Sequence, residues 1–206
     1  MKNTCCTIYL VRHGETEWNV KKLIQGQKDI PLNKKGEDQA MALGKKLKKI
    51  KFDAIYSSDL RRAAETAIII AGKRRLMIIK SKALRERYFG KFQGELFGDS
   101  QNKSILELIN RLKSDSISDQ NEIESDELII SRLIPFLRKI SLVCLDKTIL
   151  VVSHGGTIRT LLILLGWGTY ENLNEGCIDN LAYVKLESDG VDFLIKKTSR
   201  IKKLLV

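Results

Sequence analysis

The feature that most constrains this chain is a local design used twice. Thr7–Val11, TIYLV, is a short apolar, β-branched run, and Arg12-His13-Gly14 follows it. Thr148–Ser153, TILVVS, is a second such run, and His154-Gly155-Gly156 follows it. Apolar runs of this length without polar alternation read as strands buried on both faces, as in parallel sheets covered by helices. The chain has 2 histidines in all, and both sit at the ends of these runs. The expectation is that the two strand ends lie side by side and hold one anionic group between them.

The intervening sequence alternates in the same manner. Asn33 is placed to cap a helix running to about Ile50, with Ala40, Leu43 and Leu47 at helical spacing and lysines on the other face. Phe52–Ser57 reads as a strand, Ser58 as the cap of a helix to about Ala71, and Arg74–Lys80 as a third strand. Ser125 opens a helix to about Leu142, which Pro135 should kink or break. A helix over Thr157–Leu165 follows the second histidine. Leu181–Glu187 and Val191–Lys197 form a hairpin turning at Ser188-Asp189-Gly190. This order predicts an α/β fold, a mainly parallel sheet with helices on both faces. Ligands of such sheets bind beyond the carboxyl ends of the strands, where both histidines fall. A length of 206 residues fits one domain, 1–206, with a polar, lid-like excursion at about 95–124. Within that excursion Ile105–Leu112 reads as a short helix and Ser114–Asn121 as a mobile stretch. The tail from Ser199 has no clear place.

Composition narrows the function classes. No apolar run reaches the roughly 18 residues a membrane span needs. The N-terminal residues run directly into the first motif, which argues against a cleaved leader. Cys5, Cys6, Cys144 and Cys177 have no CxxC spacing, so reduced thiols in the cytoplasm fit better than disulfides or zinc. The net charge of +11 is carried by dispersed lysines and arginines without interleaved aromatics. That pattern fits a solvated surface biased toward anionic small molecules, and neither a nucleic-acid nor a membrane partner.

A lone histidine at a strand end is ordinarily a satisfied structural residue. Company changes the reading. Arg12 offers a bidentate clamp for phosphate oxygens beside His13. A neutral His13 is a competent nucleophile toward phosphorus if its other ring nitrogen is held by an acceptor such as a backbone carbonyl. His154 precedes a helix start, whose unpaired N–H groups favour an anion, and a protonated His154 would add positive charge there. Of Arg61 and Arg62 on the SDLRRAAETA helix, one can point to the strand ends. Glu86, between Arg85 and Arg87, reads either as a surface ion pair or as a proton donor to a leaving oxygen.

Taken together, RHGETEWN (12–19), SDLRRAAETA (58–67), LRERYFG (84–90) and SHGGTIR (153–159) resemble the motifs of the histidine phosphatase superfamily, the phosphoglycerate mutase-like family. The resemblance implies a three-layer α/β/α sandwich, a phosphohistidine intermediate, a small phosphorylated substrate, and no metal or other cofactor. It implies that His13 is the nucleophile and Glu86 the acid/base. Arg12, Arg62 and His154 form the phosphate pocket, assisted by Asn19 and the Gly155 backbone. Arg62 is preferred to Arg61 because it directly precedes the alanine of the family pattern. Gln25-Gly26 falls at the substrate entrance. Glu124-Ser125 with Arg132 resembles a helix start and its helix arginine, with Ile123 in place of a glycine. The implied activity is a phosphomonoesterase of the histidine acid phosphatase type. A phosphoglycerate mutase is the first alternative and a non-catalytic phospholigand-binding module the second. Isolated Lys103 and Arg111, and His-Gly-Gly rather than His-Gly-Asn at 154–156, favour the phosphatase.

Overall fold

The computed structural model describes residues 4–96, 123–174 and 176–204. Six strands form one sheet: β1 (Cys6–Arg12), β2 (Ala54–Ser58), β3 (Ile78–Ser81), β4 (Thr148–Ser153), β5 (Ile178–Ser188) and β6 (Phe193–Ile201). Their order is β3-β2-β4-β1-β5-β6. The first four are parallel, and β5 and β6 add an antiparallel hairpin beside β1. The helices are α1 (Glu17–Val20), α2 (Lys34–Lys46), α3 (Arg61–Ala71), α4 (Asp126–Val143) and α5 (Gly155–Leu164).

Strand periodicity sorts the core into two layers. Ile8, Leu10, Ile149 and Val151 pack with Leu133, Leu137, Ile158 and Leu161 of α4 and α5. Their neighbours Val11, Leu150 and Val152 pack with Ala40, Leu43, Ala63 and Ala67 of α2 and α3. Both faces are covered, which is why the strands read as unbroken apolar runs. The three-layer expectation is met. Among the described residues, no helix is long and apolar enough to cross a membrane.

Several local expectations are corrected. Ser58 is the buried last residue of β2 and not a helix cap; Leu60 holds the cap position of α3 with no side-chain cap bond. The orphan amide of Arg61 is met by Asp29 Oδ1 at 2.7 Å, from a loop distant in sequence. α2 ends at Lys46 rather than near Ile50, and β3 is confined to Ile78–Ser81. α4 is not broken at Pro135: it runs from Asp126 to Val143 as one helix, with that residue on the exposed face. α5 begins at Gly155 instead of Thr157, with His154 as its cap residue. The hairpin strands are longer than expected, and the tail from Ser199 completes β6. Beyond it, Lys202 and Leu204 donate to the carbonyls of Cys177 and Asn172. Most of the polar excursion, including the 105–112 helix, the 114–121 stretch, Lys103 and Arg111, lies outside the described residues.

Candidate active site

β1 and β4 are parallel and in register, with Arg12 opposite Ser153. The next residue on each strand is a histidine, so the fold sets His13 and His154 at one level. Their ring centroids are 5.1 Å apart, and the His13 amide donates to the Ser153 carbonyl at 3.0 Å. Both imidazoles are buried.

His13 Nδ1 lies 2.7 Å from the Gly14 carbonyl. A carbonyl only accepts, so Nδ1 carries the proton and Nε2 keeps its lone pair. Nε2 accepts from Arg62 Nε at 3.3 Å. Burial, with Arg62 and Arg12 adding repulsion, holds the His13 pKa well below the usual imidazole value. The ring is therefore neutral at pH 7, the state a nucleophile needs.

Arg62 is fully buried, and Nη1 and Nη2 donate to the carbonyls of Lys28 (2.8 Å) and Gly26 (2.7 Å). Burial pulls its pKa down to about 10, so it stays cationic at neutral pH. Arg61 instead faces solvent and pairs with Glu65, which supports the choice between the two. Arg12 bonds the Ile178 carbonyl through Nη1, while its buried Nε has no partner among the described residues. The N-terminus of α5 closes on it: a Cβ at Gly155 would sit 3.3 Å from Arg12 Nε.

His154 departs from the expectation of a protonated ring. Burial, Arg62 and His13 keep its pKa well below the ordinary value, and neither ring nitrogen has a partner among the described residues. Its charge would have to be induced by an arriving anion.

Glu86 is not paired with its chain neighbours. Arg85 forms two bonds to Asp59, and Arg87 is drawn to Asp126 and the Glu124 carbonyl. The carboxylate instead accepts from the amides of Gly156 (3.0 Å), Thr157 (3.1 Å) and Arg87 (2.8 Å). The earlier start of α5 supplies the first two of these donors. Arg132 grips Glu124 with two bonds and donates to the Ala83 and Glu86 carbonyls, fixing the loop that carries Glu86.

Asn19, Gln25 and Gly26 line the same cavity, of about 360 Å³, as His13, Arg62 and Glu86. Asn19 Oδ1 is engaged by Thr16 in a capping box, which leaves its amide nitrogen for a ligand. Gln25 Oε1 is buried with no partner among the described residues. Gly26 has φ 50°, and a Cβ there would meet the Gln93 side chain at 2.2 Å.

Two contributors escaped the sequence reading. Asn180 Nδ2 donates to the His13 carbonyl at 3.1 Å. A register shift between Ile178 and Tyr183, with Leu181 at φ 58°, accompanies that placement. Thr66 Oγ1 accepts from the Gly14 amide at 3.0 Å and donates to the Arg62 carbonyl at 2.7 Å, joining the two halves of the site. The Thr-Ala of the α3 motif was its only signal.

An Arg-His strand end, a second histidine capping a helix start, and a buried arginine bonded to the first histidine thus meet at one cavity. Residues 8–200 match the sequence model of the Histidine phosphatase superfamily (branch 1), and the chain belongs to that family. It is 33% identical over 182 residues to the Uncharacterized phosphatase PhoE of Bacillus subtilis, covering 86% of this chain and 89% of that protein. It is 36% identical over 167 residues to a 2,3-bisphosphoglycerate-dependent phosphoglycerate mutase of Bartonella bacilliformis, covering 77% and 81%. Among solved structures, Bacillus stearothermophilus YhfR superposes with a TM-score of 0.78 at 29% identity, covering 92% of this chain and 95% of that one. The chain is thus an enzyme of a family whose members include phosphatases and mutases.

Proposed function

We propose that this chain hydrolyses phosphomonoesters of small molecules in two steps through a phosphohistidine on His13. The observation that carries the reading is the anchoring of His13: Nδ1 is tied to the Gly14 carbonyl and Nε2 faces Arg62 and His154 across the cavity. In the first step the Nε2 lone pair attacks phosphorus. The P–N bond forms, the P–O bond to the leaving group breaks, and Glu86, which enters this step as the carboxylic acid, delivers its proton to the departing oxygen and is left as the carboxylate. Arg12 and Arg62 take the charge on the phosphoryl oxygens, and the dianion draws a proton onto His154. In the second step Glu86 takes a proton from water, the hydroxide oxygen bonds to phosphorus, and the P–N bond breaks. His13 returns neutral and inorganic phosphate departs. No metal is assigned a role.

His13→Ala and His13→Gln should each lower turnover of p-nitrophenyl phosphate by about 10⁴-fold or more, the usual scale for losing a nucleophile. Turnover within tenfold of the parent in both variants would end this reading.

The likeness to the Bartonella mutase supports a second reading, in which the phosphoryl group returns from His13 to a bound phosphoglycerate. Assaying phosphoglycerate interconversion beside phosphate release separates the two.

A further inference from the structure

Three consecutive charged residues around the acid/base each dock on a different part of the fold. Arg85 holds Asp59 just beyond β2, Arg87 holds Asp126 at the start of α4, and Glu86 reaches the first turn of α5. Residues 85–89 belong to no helix or strand, so side chains set the shape of this loop.

Glu124 is where those bonds converge. Its amide donates to the Tyr88 carbonyl at 2.8 Å, its carbonyl accepts from Arg87 Nη1, and Oε2 accepts the Tyr88 amide at 3.0 Å. Arg132, further along α4, closes the knot. Its Nε and Nη2 grip the Glu124 carboxylate at 2.6 and 2.9 Å. Nη1 donates to the Ala83 carbonyl at 2.8 Å, and Nη2 also reaches the Glu86 carbonyl at 3.3 Å. The two side chains are only 20% and 12% exposed. A buried ion pair is weak evidence for stability on its own. This one aims its spare donors at the backbone of the acid/base itself.

The Glu86 carboxylate is held as closely as its loop. Oε1 accepts the amides of Arg87 (2.8 Å) and Thr157 (3.1 Å), and the Thr157 hydroxyl lies 3.3 Å away. Oε2 accepts the Gly156 amide at 3.0 Å. Each carboxylate oxygen has two lone pairs, so Oε1 is filled while Oε2 keeps one, and the exchanged proton belongs there.

We infer that Glu124 and Arg132 are positioning residues for the acid step, holding the loop so that Oε2 of Glu86 meets the departing oxygen. The inference rests on the acid role given to Glu86 above. A group displaced by about 1 Å from its reacting partner loses on the order of 10²-fold in rate. The loss falls on esters whose leaving oxygen needs a proton.

The test compares kcat/KM, which covers the step that breaks the P–O bond, for p-nitrophenyl, phenyl and benzyl phosphate. p-Nitrophenolate leaves readily without a proton, phenolate less so, and benzyl alkoxide needs one most. Arg132→Lys keeps a positive charge that bears on His154, but an ammonium cannot span one carboxylate and two carbonyls. Glu124→Gln keeps the shape and removes the ion pair. Each variant should lose about threefold or less with p-nitrophenyl phosphate and about thirtyfold or more with benzyl phosphate. Glu86→Gln should show the same ordering more steeply. Adding Arg132→Lys to Glu86→Gln should then change benzyl phosphate turnover by less than about threefold, because the group it positions is gone.

Equal loss on all three esters in folded variants, or losses that add in the double variant, overturns the positioning role and leaves the hydrolase intact. Thermal melting shows which variants fold, and either one alone carries the test. Failure of both to fold assigns the pair to stability and overturns the inference as well. Glu86→Gln without the ordering overturns the acid role and the inference with it. No turnover of any ester by the parent overturns the hydrolase reading.

Discussion

Thr66 is the side chain on which the site's alignment turns. One hydroxyl accepts the amide of Gly14, the residue whose carbonyl orients His13, and donates to the backbone of Arg62. It is fully buried, so no water can replace either bond. Thr66→Val keeps the shape and strands a buried amide, which costs about 1–3 kcal/mol. For a chain of this size that is a fall of roughly 4–8 °C in Tm for a mid-range loss. The same change lets the Gly14 carbonyl drift from His13 Nδ1, and kcat should drop about tenfold with a smaller change in KM. Thr66→Ser restores the hydroxyl and should stay within about threefold of the parent. Calorimetry and steady-state kinetics on the two variants check this. Equal loss in both would assign Thr66 to packing.

At the level of elements, the His13 loop rests directly on the first turn of α2. A Cβ on Gly36 would lie 2.1 Å from the Glu15 carbonyl oxygen, and one on Gly14 would lie 2.6 Å from that of Gly36. Both neighbours are backbone and cannot swing aside. Gly36→Ala should therefore destabilise by about 2–3 kcal/mol despite its better helix propensity, and should lower activity by displacing the loop. Gly44, further along α2, offers the contrast. Its Cβ would meet Ile70 at an ordinary 3.4 Å, so Gly44→Ala should stabilise by about 0.5–1 kcal/mol with unchanged kinetics. Urea unfolding of the two variants reads this directly. The same elements indicate what a sequence can disclose. Asn33 and Ser125 are legible as caps because capping is local: each accepts an amide three residues on. The paired histidines are legible because identical strand-end patterns in a parallel sheet fall at one level. The cap of α3 is not legible, because Asp29 supplies it across the fold. Nor is Asn180, which depends on an irregularity in the pairing of β5 that no periodicity announces. The sequence pattern puts the start of α5 two residues late because Gly155 and Gly156 lie outside the apolar run that marks the helix. Those glycines are helical, and their smallness lets Arg12 and Glu86 approach.

For the molecule as a whole, the site's electrostatics set a cost on folding that pH reveals. Two imidazoles are buried against Arg12 and Arg62, and each has its pKa pushed well below the ordinary 6.5. Among the described residues, Glu86 is the one carboxylate that lines the cavity wall facing them. In the unfolded chain both rings protonate near pH 6.5. Below that value the unfolded state binds up to two more protons than the folded one. Stability attributable to these groups is therefore present above pH 6.5 and lost as pH falls toward the depressed folded values, at up to about 2.7 kcal/mol per pH unit. Urea unfolding at pH 7.5, 6.5 and 5.5 should show this slope before the unfolded carboxylates titrate near pH 4. His154→Gln removes one of the two groups and should roughly halve the slope over this window. Sulfate, which stays a dianion throughout, should flatten it as well, since an anion in the cage makes the protonated rings acceptable. A slope that is the same in parent, His154→Gln and sulfate would mean that the acid sensitivity arises elsewhere. The cage would then be electrostatically neutral toward folding, contrary to the burial of two histidines and Arg62 beside a partly buried Arg12, with Glu86 the one carboxylate among the described residues of the cavity wall.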